Sequence, residues 1–287
     1  MPELPEVEVV RLFLDQHLIN KTISNLKILT PKSFIGDPKL VEGQKIIKTS
    51  RIGKQLSLYL GNNLILLFHL KMTGQIIYSP PLSRGGPEGG GVSKFGHPIG
   101  VKSTRLVFTF SDGSKLFFND QRKFGWVKLF NQAELIEAQK NLGLDILSSK
   151  FTPKYFYQQI QTTSRPIKSV LLDQAKFAGI GNIYANDSLF LAKINPQTPS
   201  NKISLKKASL LHHFLIQIMT DSIKAGGSTA KDNKYIRPDG SSGQHQFNFQ
   251  VYQRAGEPCL VCQTPIKRIK IGGRGTFYCP KCQKKIR

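Results

Sequence analysis

The sequence reads as an α+β protein with more than one domain, and three observations carry that reading. The first 130 residues hold one amphipathic helical pattern followed by about eight short β-type runs. From about residue 151 the hydrophobic period becomes helical. All four cysteines then close the chain as Cys259-x2-Cys262 and Cys279-x2-Cys282.

The opening helix rests on Leu4, Val7, Val10, Leu14 and Leu18, three or four residues apart, with Pro5 suited to a first turn. The β-type runs are 22–29, 44–49, 55–60, 64–70, 75–78, 105–110, 115–118 and 125–130. Turn signals such as Gly61-Asn62-Asn63 and Asp112-Gly113 separate several of them. One helix and eight short strands in this length predict a sandwich or barrel. Residues 79–100 are rich in Gly, Pro and Ser and read as a flexible surface loop, and 132–150 as a helical linker. Helices are expected at 153–161, 167–175, 182–192 and 204–225, with Gly179-Ile180-Gly181-Asn182 breaking the middle pair into a helix–turn–helix. The stretch 226–246 has four glycines and little apolar content, which predicts a mobile loop. No internal repeat is present.

Composition narrows the function. The 287 residues carry 41 Lys and Arg against 18 Asp and Glu, a formal net charge of +23. At 39% hydrophobic the chain can bury a core, which excludes a disordered basic tail. No apolar run approaches the ~20 residues of a membrane helix. The start, MPELPEVEVV, is acidic and lacks a signal-peptide layout, so a soluble intracellular protein is expected. Such an excess of charge points to a polyanion, nucleic acid first. It is densest at the end, where residues 254–287 hold nine basic residues against Glu257 alone. Basic residues neutralise phosphates; they neither read a base nor break a bond.

Chemistry must come from elsewhere. Two Cys-x2-Cys knuckles separated by a strand–turn–strand pattern suit one tetrahedral Zn²⁺ on Cys259, Cys262, Cys279 and Cys282. A disulfide pair is the competing reading, but nothing points to an oxidising compartment. Four thiolates leave no open position, so the metal is structural and stiffens a hairpin that carries Arg274. At the other end, removal of Met1 would expose the secondary amine of Pro2, whose pKa should lie nearer the α-amino value of about 8 than that of lysine. Attack on a sugar C1′ by such an amine yields an iminium, an electron sink, and Glu3 beside it can shuttle protons. These residues alone equally allow Pro-Glu-Leu-Pro-Glu to be no more than a helix opening.

Six stretches change that balance: PELPEVE at 2–8, SRIGK at 50–54, HLKMTG at 69–74, NDQRKFG at 119–125, IKSVLLDQAKFAGIGNIYANDSLF at 167–190 and GEPCLVCQTPIKRIKIGGRGTFYCPKCQ at 256–283. Nearly end to end, the chain resembles the formamidopyrimidine-DNA glycosylase family of base-excision repair enzymes. The resemblance implies an N-terminal helix with an eight-stranded antiparallel β-sandwich at 1–131 and a linker at 132–150. A helix–two-turn–helix domain at 151–253 would follow, with a lesion-sensing loop at 226–246 and a zinc β-hairpin at 254–287. It implies removal of oxidised purines (8-oxoguanine and formamidopyrimidines) from double-stranded DNA, then strand cleavage by β,δ-elimination. The implied partner is duplex DNA with oxidised bases or abasic sites, and the resemblance implies a monomer of the bacterial cytoplasm, held at the nucleoid by DNA.

By the same resemblance Pro2 is the nucleophile and Glu3 the assisting acid, with Glu6 a second carboxylate near the site. Lys54 neutralises a phosphate beside the lesion, and Arg274 grips flanking DNA and is linked to the later elimination. Met72, Arg122 and Phe124 match the triad that fills the void left by an everted base. His69, Lys123, Arg165, Lys168 and Asn182 fall at DNA-contacting positions, Asn182 also as a helix cap. Several positions depart from the family pattern. A Lys-His-x-His run is replaced by Lys102-Ser103-Thr104-Arg105, Pro-Arg-Arg-Phe becomes Gln121-Arg122-Lys123-Phe124, and Asp187 stands where Glu is usual. These put affinity and register in question and leave the nucleophile untouched. Two other readings stand beside this one: an endonuclease-VIII-like enzyme for oxidised pyrimidines, and a non-enzymatic zinc-stabilised DNA-binding protein.

Overall fold

The computed structural model describes residues 2–81, 102–229 and 235–285. It divides into two compact units, Met1–Lys140 with Ala225–Gln244, and Asn141–Lys224 with His245–Arg287.

In the first unit, α1 (Leu4–Leu18) begins at Glu3, which forms a capping box with Glu6, and buries Leu4, Val7, Val10, Leu14 and Leu18. Nine strands follow: β1 (Ile23–Ile28), β2 (Phe34–Ile35), β3 (Ile46–Ile52), β4 (Gln55–Leu60), β5 (Ile65–His69), β6 (Gly74–Ser79), β7 (Thr104–Phe110), β8 (Lys115–Asp120) and β9 (Trp126–Phe130). They form a sheet ordered β1-β7-β8-β6 and another ordered β2-β9-β5-β4-β3. Eight strands are those the alternation predicts. The ninth, β2, pairs parallel with β9 and breaks the all-antiparallel expectation. Two residues between Pro31 and Pro38 are too short to show a period.

Alternate side chains, including Leu56, Leu58, Leu66, Phe68, Leu106, Phe108, Leu116 and Phe118, fill the core with the buried face of α1. The opposite face of β5, Ile65 and Leu67, packs on Leu135 of α2 (Gln132–Gln139), which explains a strand that is apolar on both faces. Helix α2 occupies only the first part of the stretch read as a helical linker. Ile77 and Phe117 cluster with Ile236, and the Tyr78 amide donates to the Pro238 carbonyl at 2.8 Å. By its contacts Ala225–Gln244 thus belongs with the first unit, whereas the sequence had placed it in the helical domain. Buried Tyr235 and Ile236 are the reason. Most of the Gly/Pro-rich stretch 79–100 lies outside the described residues, as does the centre of 226–246.

The second unit holds β10 (Leu144–Asp145), α3 (Pro153–Gln161), α4 (Ile167–Leu171), β11 (Phe177–Ala178), α5 (Asn182–Leu191), α6 (Leu205–Lys224), and the hairpin β12 (Lys267–Ile271) with β13 (Arg274–Tyr278). Helix α4 stops four residues before its predicted end. The chain then enters a turn fastened by Gln174, whose side chain accepts the Gly179 amide at 3.0 Å and donates to the Ile180 carbonyl at 2.9 Å.

Candidate active site and metal centre

Pro2 and Glu3 are buried immediately before α1. Glu6, one turn on, accepts the Glu3 amide through Oε2 at 2.8 Å and the Ser228 amide through Oε1 at 2.9 Å. Both oxygens of Glu6 thus accept backbone amides, and this second carboxylate ties the start of α1 to the segment after α6. Gly227 makes the approach possible. Its φ is +81°, and a Cβ there would lie 2.8 Å from the Tyr235 ring and 3.2 Å from Glu6 Cγ. Tyr235 donates to the Gly226 carbonyl at 3.2 Å, and burial, reinforced by the Glu6 charge, holds its hydroxyl well above the usual phenol range.

Lys54 occupies the second position of the two-residue turn joining β3 to β4, after Gly53 at φ +57°. Glycine at the first position is what a tight II′ hairpin turn requires. On the neighbouring strand His69 pairs with Gln55 and leans on Trp126, ring centroids 5.6 Å apart. Burial, then the charges of Lys71 and Lys54, push its pKa down to about 3. It is neutral at physiological pH, and its Nδ1 accepts the Lys71 amide at 3.1 Å, so the proton sits on Nε2 as a donor. That suits a phosphate oxygen without adding charge.

Met72 lies in the turn between β5 and β6, and Arg122, Lys123 and Phe124 in the turn between β8 and β9. Phe124 is 52% exposed. The Arg122 guanidinium stacks over its ring at 4.7 Å, so the two side chains support each other outside the core. Between the two turns sits Asp120, fully buried, a residue the sequence reading quoted in a motif but gave no task. Its carboxylate accepts the Thr73 hydroxyl, the Arg122 amide at 3.1 Å and the Gly125 amide at 2.6 Å.

In the second unit the four cysteine sulfurs lie within 4.8 Å of one another, with pairs at 3.4, 3.5 and 3.9 Å. Tetrahedral Zn²⁺ with Zn–S near 2.3 Å requires S···S of about 3.8 Å. Burial and the neighbouring sulfurs push the Cys282 thiol up to about 12, so this donor set ionises together only around a cation. Zn²⁺ fits the site, held by Cys259, Cys262, Cys279 and Cys282.

Arg274 opens β13 and is exposed. The hairpin beneath it is bolted to the helices. Lys168 Nζ donates to the Gly275 carbonyl and Thr276 Oγ1, both at 2.7 Å, Asn182 Nδ2 to the same carbonyl at 3.1 Å, and the Phe277 amide to Asn186 at 2.8 Å. Lys168 is 0% exposed, which corrects its reading as a phosphate grip. Its ammonium is spent on the hairpin. Asn182 is the first residue of α5 and Gly181 its N-cap, so the side chain is not the cap that was expected. Arg165 is exposed but paired with Asp173 at 2.9 Å. Asp187 accepts the amides of Gln250, Val251 and Tyr252 at 3.0, 3.0 and 2.9 Å; burial nonetheless pushes it up to about 6. The Asp-for-Glu departure thus concerns how the segment leading to the hairpin is anchored.

Three family signatures match: the formamidopyrimidine-DNA glycosylase N-terminal domain over residues 1–127, the H2TH domain of the same enzymes over 142–234, and a zinc finger found in FPG and IleRS over 256–285. The formamidopyrimidine-DNA glycosylase of Bacillus licheniformis is 38% identical, covering 99% of this chain and 100% of its own. The chain belongs to the formamidopyrimidine-DNA glycosylase family. The Listeria innocua enzyme of that name is also 38% identical over 99% of this chain and 100% of its own. Among solved structures, the Thermus thermophilus MutM (Fpg) protein matches with a TM-score of 0.86 at 32% identity over the whole of both chains. Lactococcus lactis Fpg with DNA containing an abasic site matches at 0.85 and 32%, over 99% of this chain and 100% of its own. Within this family's frame the sequence reading missed Asp120, Arg105, Asn186, Ser228 and Tyr235. The signal for Asp120 was a carboxylate at the end of an apolar strand inside a quoted motif. Asn186 lay inside another quoted motif and Arg105 in the stretch that departs from the family pattern, while no local signal marked Ser228 or Tyr235.

Proposed function

We propose that this protein is a bifunctional DNA glycosylase and AP lyase that excises oxidised purines, 8-oxoguanine and formamidopyrimidines, from duplex DNA. We place it as a monomer in the bacterial cytoplasm, on the nucleoid. The observation that carries the reading is a proline at position 2, immediately before a helix whose first turn is pinned by Glu3, Glu6 and Ser228. A nucleophile must be held in place, and this start of the chain is held.

With Met1 removed, the lone pair of the Pro2 nitrogen attacks C1′ and the nitrogen gives up its proton. The C1′–N bond breaks with its electron pair on the base, which leaves protonated; Glu3 is the acid placed to assist. Opening of C1′–O4′ puts a hydroxyl at C4′ and leaves an iminium at C1′, cationic because a secondary amine has no further proton to lose. Loss of a C2′ proton expels the 3′ phosphate, a second elimination expels the 5′ phosphate, and water then frees the amine. Lys54 and Arg274 neutralise phosphates, while Met72, Arg122 and Phe124 occupy the vacated stack.

Borohydride reduces the iminium to a stable amine, so it should trap the protein covalently on lesion duplex. No adduct with Pro2 verified as the terminus would sink the mechanism, and no nicking would favour the non-enzymatic reading. Lactococcus lactis Fpg has been solved with Fapy-dG DNA and also with an oxidised pyrimidine. Competition between 8-oxoguanine and thymine glycol duplexes therefore decides the preference, and we expect the purine to win.

A further inference from the structure

Asp120 is a fully buried carboxylate that no step of the mechanism touches. Its Oδ1 accepts the Thr73 hydroxyl and the Arg122 amide at 3.1 Å, and its Oδ2 accepts the Gly125 amide at 2.6 Å. Thr73 Oγ1 in turn accepts the Arg122 amide at 3.0 Å. The backbone of Asp120 is clamped as well: its amide donates to the Ser103 carbonyl at 2.8 Å, and its carbonyl accepts Arg105 Nε at 2.8 Å. Ser103 and Arg105 belong to the stretch where this chain departs from the family's Lys-His-x-His run.

One carboxylate thereby joins two turns that the sequence keeps about fifty residues apart, one carrying Met72 and the other Arg122 and Phe124. Both turns need such a tie. Each holds a non-glycine residue in the left-handed region, Lys71 at φ +52° and Lys123 at φ +57°. Each also closes on a glycine with no room for a side chain. A Cβ at Gly74 would lie 2.4 Å from the Leu70 carbonyl oxygen, and one at Gly125 would lie 2.8 Å from Phe118 and 3.1 Å from Asp120 itself.

We propose that Asp120 is the positioning residue of the void-filling triad, setting the spacing between Met72 and the Arg122–Phe124 pair while touching no DNA. The proposal rests on the function given above, in which those three side chains replace an everted base. An asparagine at this position accepts on one side only, so one turn must lose its bond.

The test is Asp120→Asn in the full, zinc-loaded chain, read on two substrates. On an 8-oxoguanine duplex with 2-aminopurine beside the lesion, excision at saturating enzyme should fall tenfold or more and the fluorescence rise from unstacking should shrink. On a single-stranded abasic oligonucleotide, where no stack needs holding open, borohydride trapping through Pro2 should stay within twofold of the unsubstituted protein. Excision at the unsubstituted rate, or an equal loss on both substrates, overturns the proposal. If Asp120→Asn does not fold, Thr73→Val removes the hydroxyl bridge alone and should show the same split at smaller size; the absence of a split there also overturns it. Failure of the function itself is distinguishable, because the unsubstituted protein would then trap on neither substrate.

Discussion

Phe124, on a turn, and Arg274, at the start of strand β13, are both exposed side chains, yet what lies beneath each differs. Under Phe124 is a sandwich with a continuous apolar core of more than twenty buried side chains, and the turn is tied to it by Asp120 and Thr73. Under Arg274 is a two-stranded hairpin whose apolar cluster includes Phe190, Val251, Ile266 and Phe277 and then runs into the cysteines themselves. A two-stranded hairpin is marginal in water, so the second region supplements its core with a metal and with buried side-chain bonds from Lys168, Asn182 and Asn186. A large core lets a region present functional groups on hydrogen bonds alone; a small one needs a cross-link as well.

The largest way to test that contrast is to remove the metal. Structural zinc supplies about 10–16 kcal/mol of folding free energy in small fingers. Chelation or Cys262→Ser should therefore lower affinity for lesion duplex by a hundredfold or more in titrations, while circular dichroism keeps the β-sheet signal of the sandwich. Loss of both together would show that the sandwich also depends on the ion.

A sharper comparison sets Arg274→Ala against Lys168→Met. An exposed arginine that neutralises one phosphate should make the slope of log affinity against log salt shallower by about 0.9. Lys168 is buried on the hairpin, so its substitution should leave that slope unchanged. It should instead lower the thermal midpoint, since hydrogen bonds from a charged donor are worth about 1.5–3 kcal/mol each. A slope change in Lys168→Met matching that of Arg274→Ala would restore lysine as a phosphate contact.

The last effect, confined to acid conditions and absent at neutral pH, concerns His69. His69 is pushed down to about 3 in the folded first unit, so between pH 6.5 and 3 the unfolded chain binds a proton the folded one refuses. Its contribution to stability is full above pH 6.5 and declines as pH falls through that window. His69→Gln should flatten this part of the profile in thermal melts and leave the neutral-pH midpoint little changed. An unchanged acid limb would mean that His69 is protonated without cost.

Much of the architecture was legible because it is local. The helix at Leu4–Leu18 and strand Gln55–Leu60 follow from side-chain periods of 3.6 and 2, and the metal ligands from a spacing that needs no fold to be seen. Strand β2 was hidden by its length, and α4 ran short because Gln174 favours a turn over another helical bond. The proposed nucleophile was legible only as a position, proline at residue 2, since the amine's chemistry is set by what surrounds it.

By itself, then, the sequence determined which reactive groups exist and which lie side by side along the chain: Pro2 with Glu3, Arg122 with Phe124, and two pairs of cysteines. Tertiary structure decided what Glu6, Asp120 and Lys168 do, because their partners Ser228, Thr73 and Thr276 are brought to them across long stretches of chain. A charged side chain is a surface contact or an internal tie according to whether its polar atoms find partners as water is excluded. That is settled by packing, and no local pattern records it.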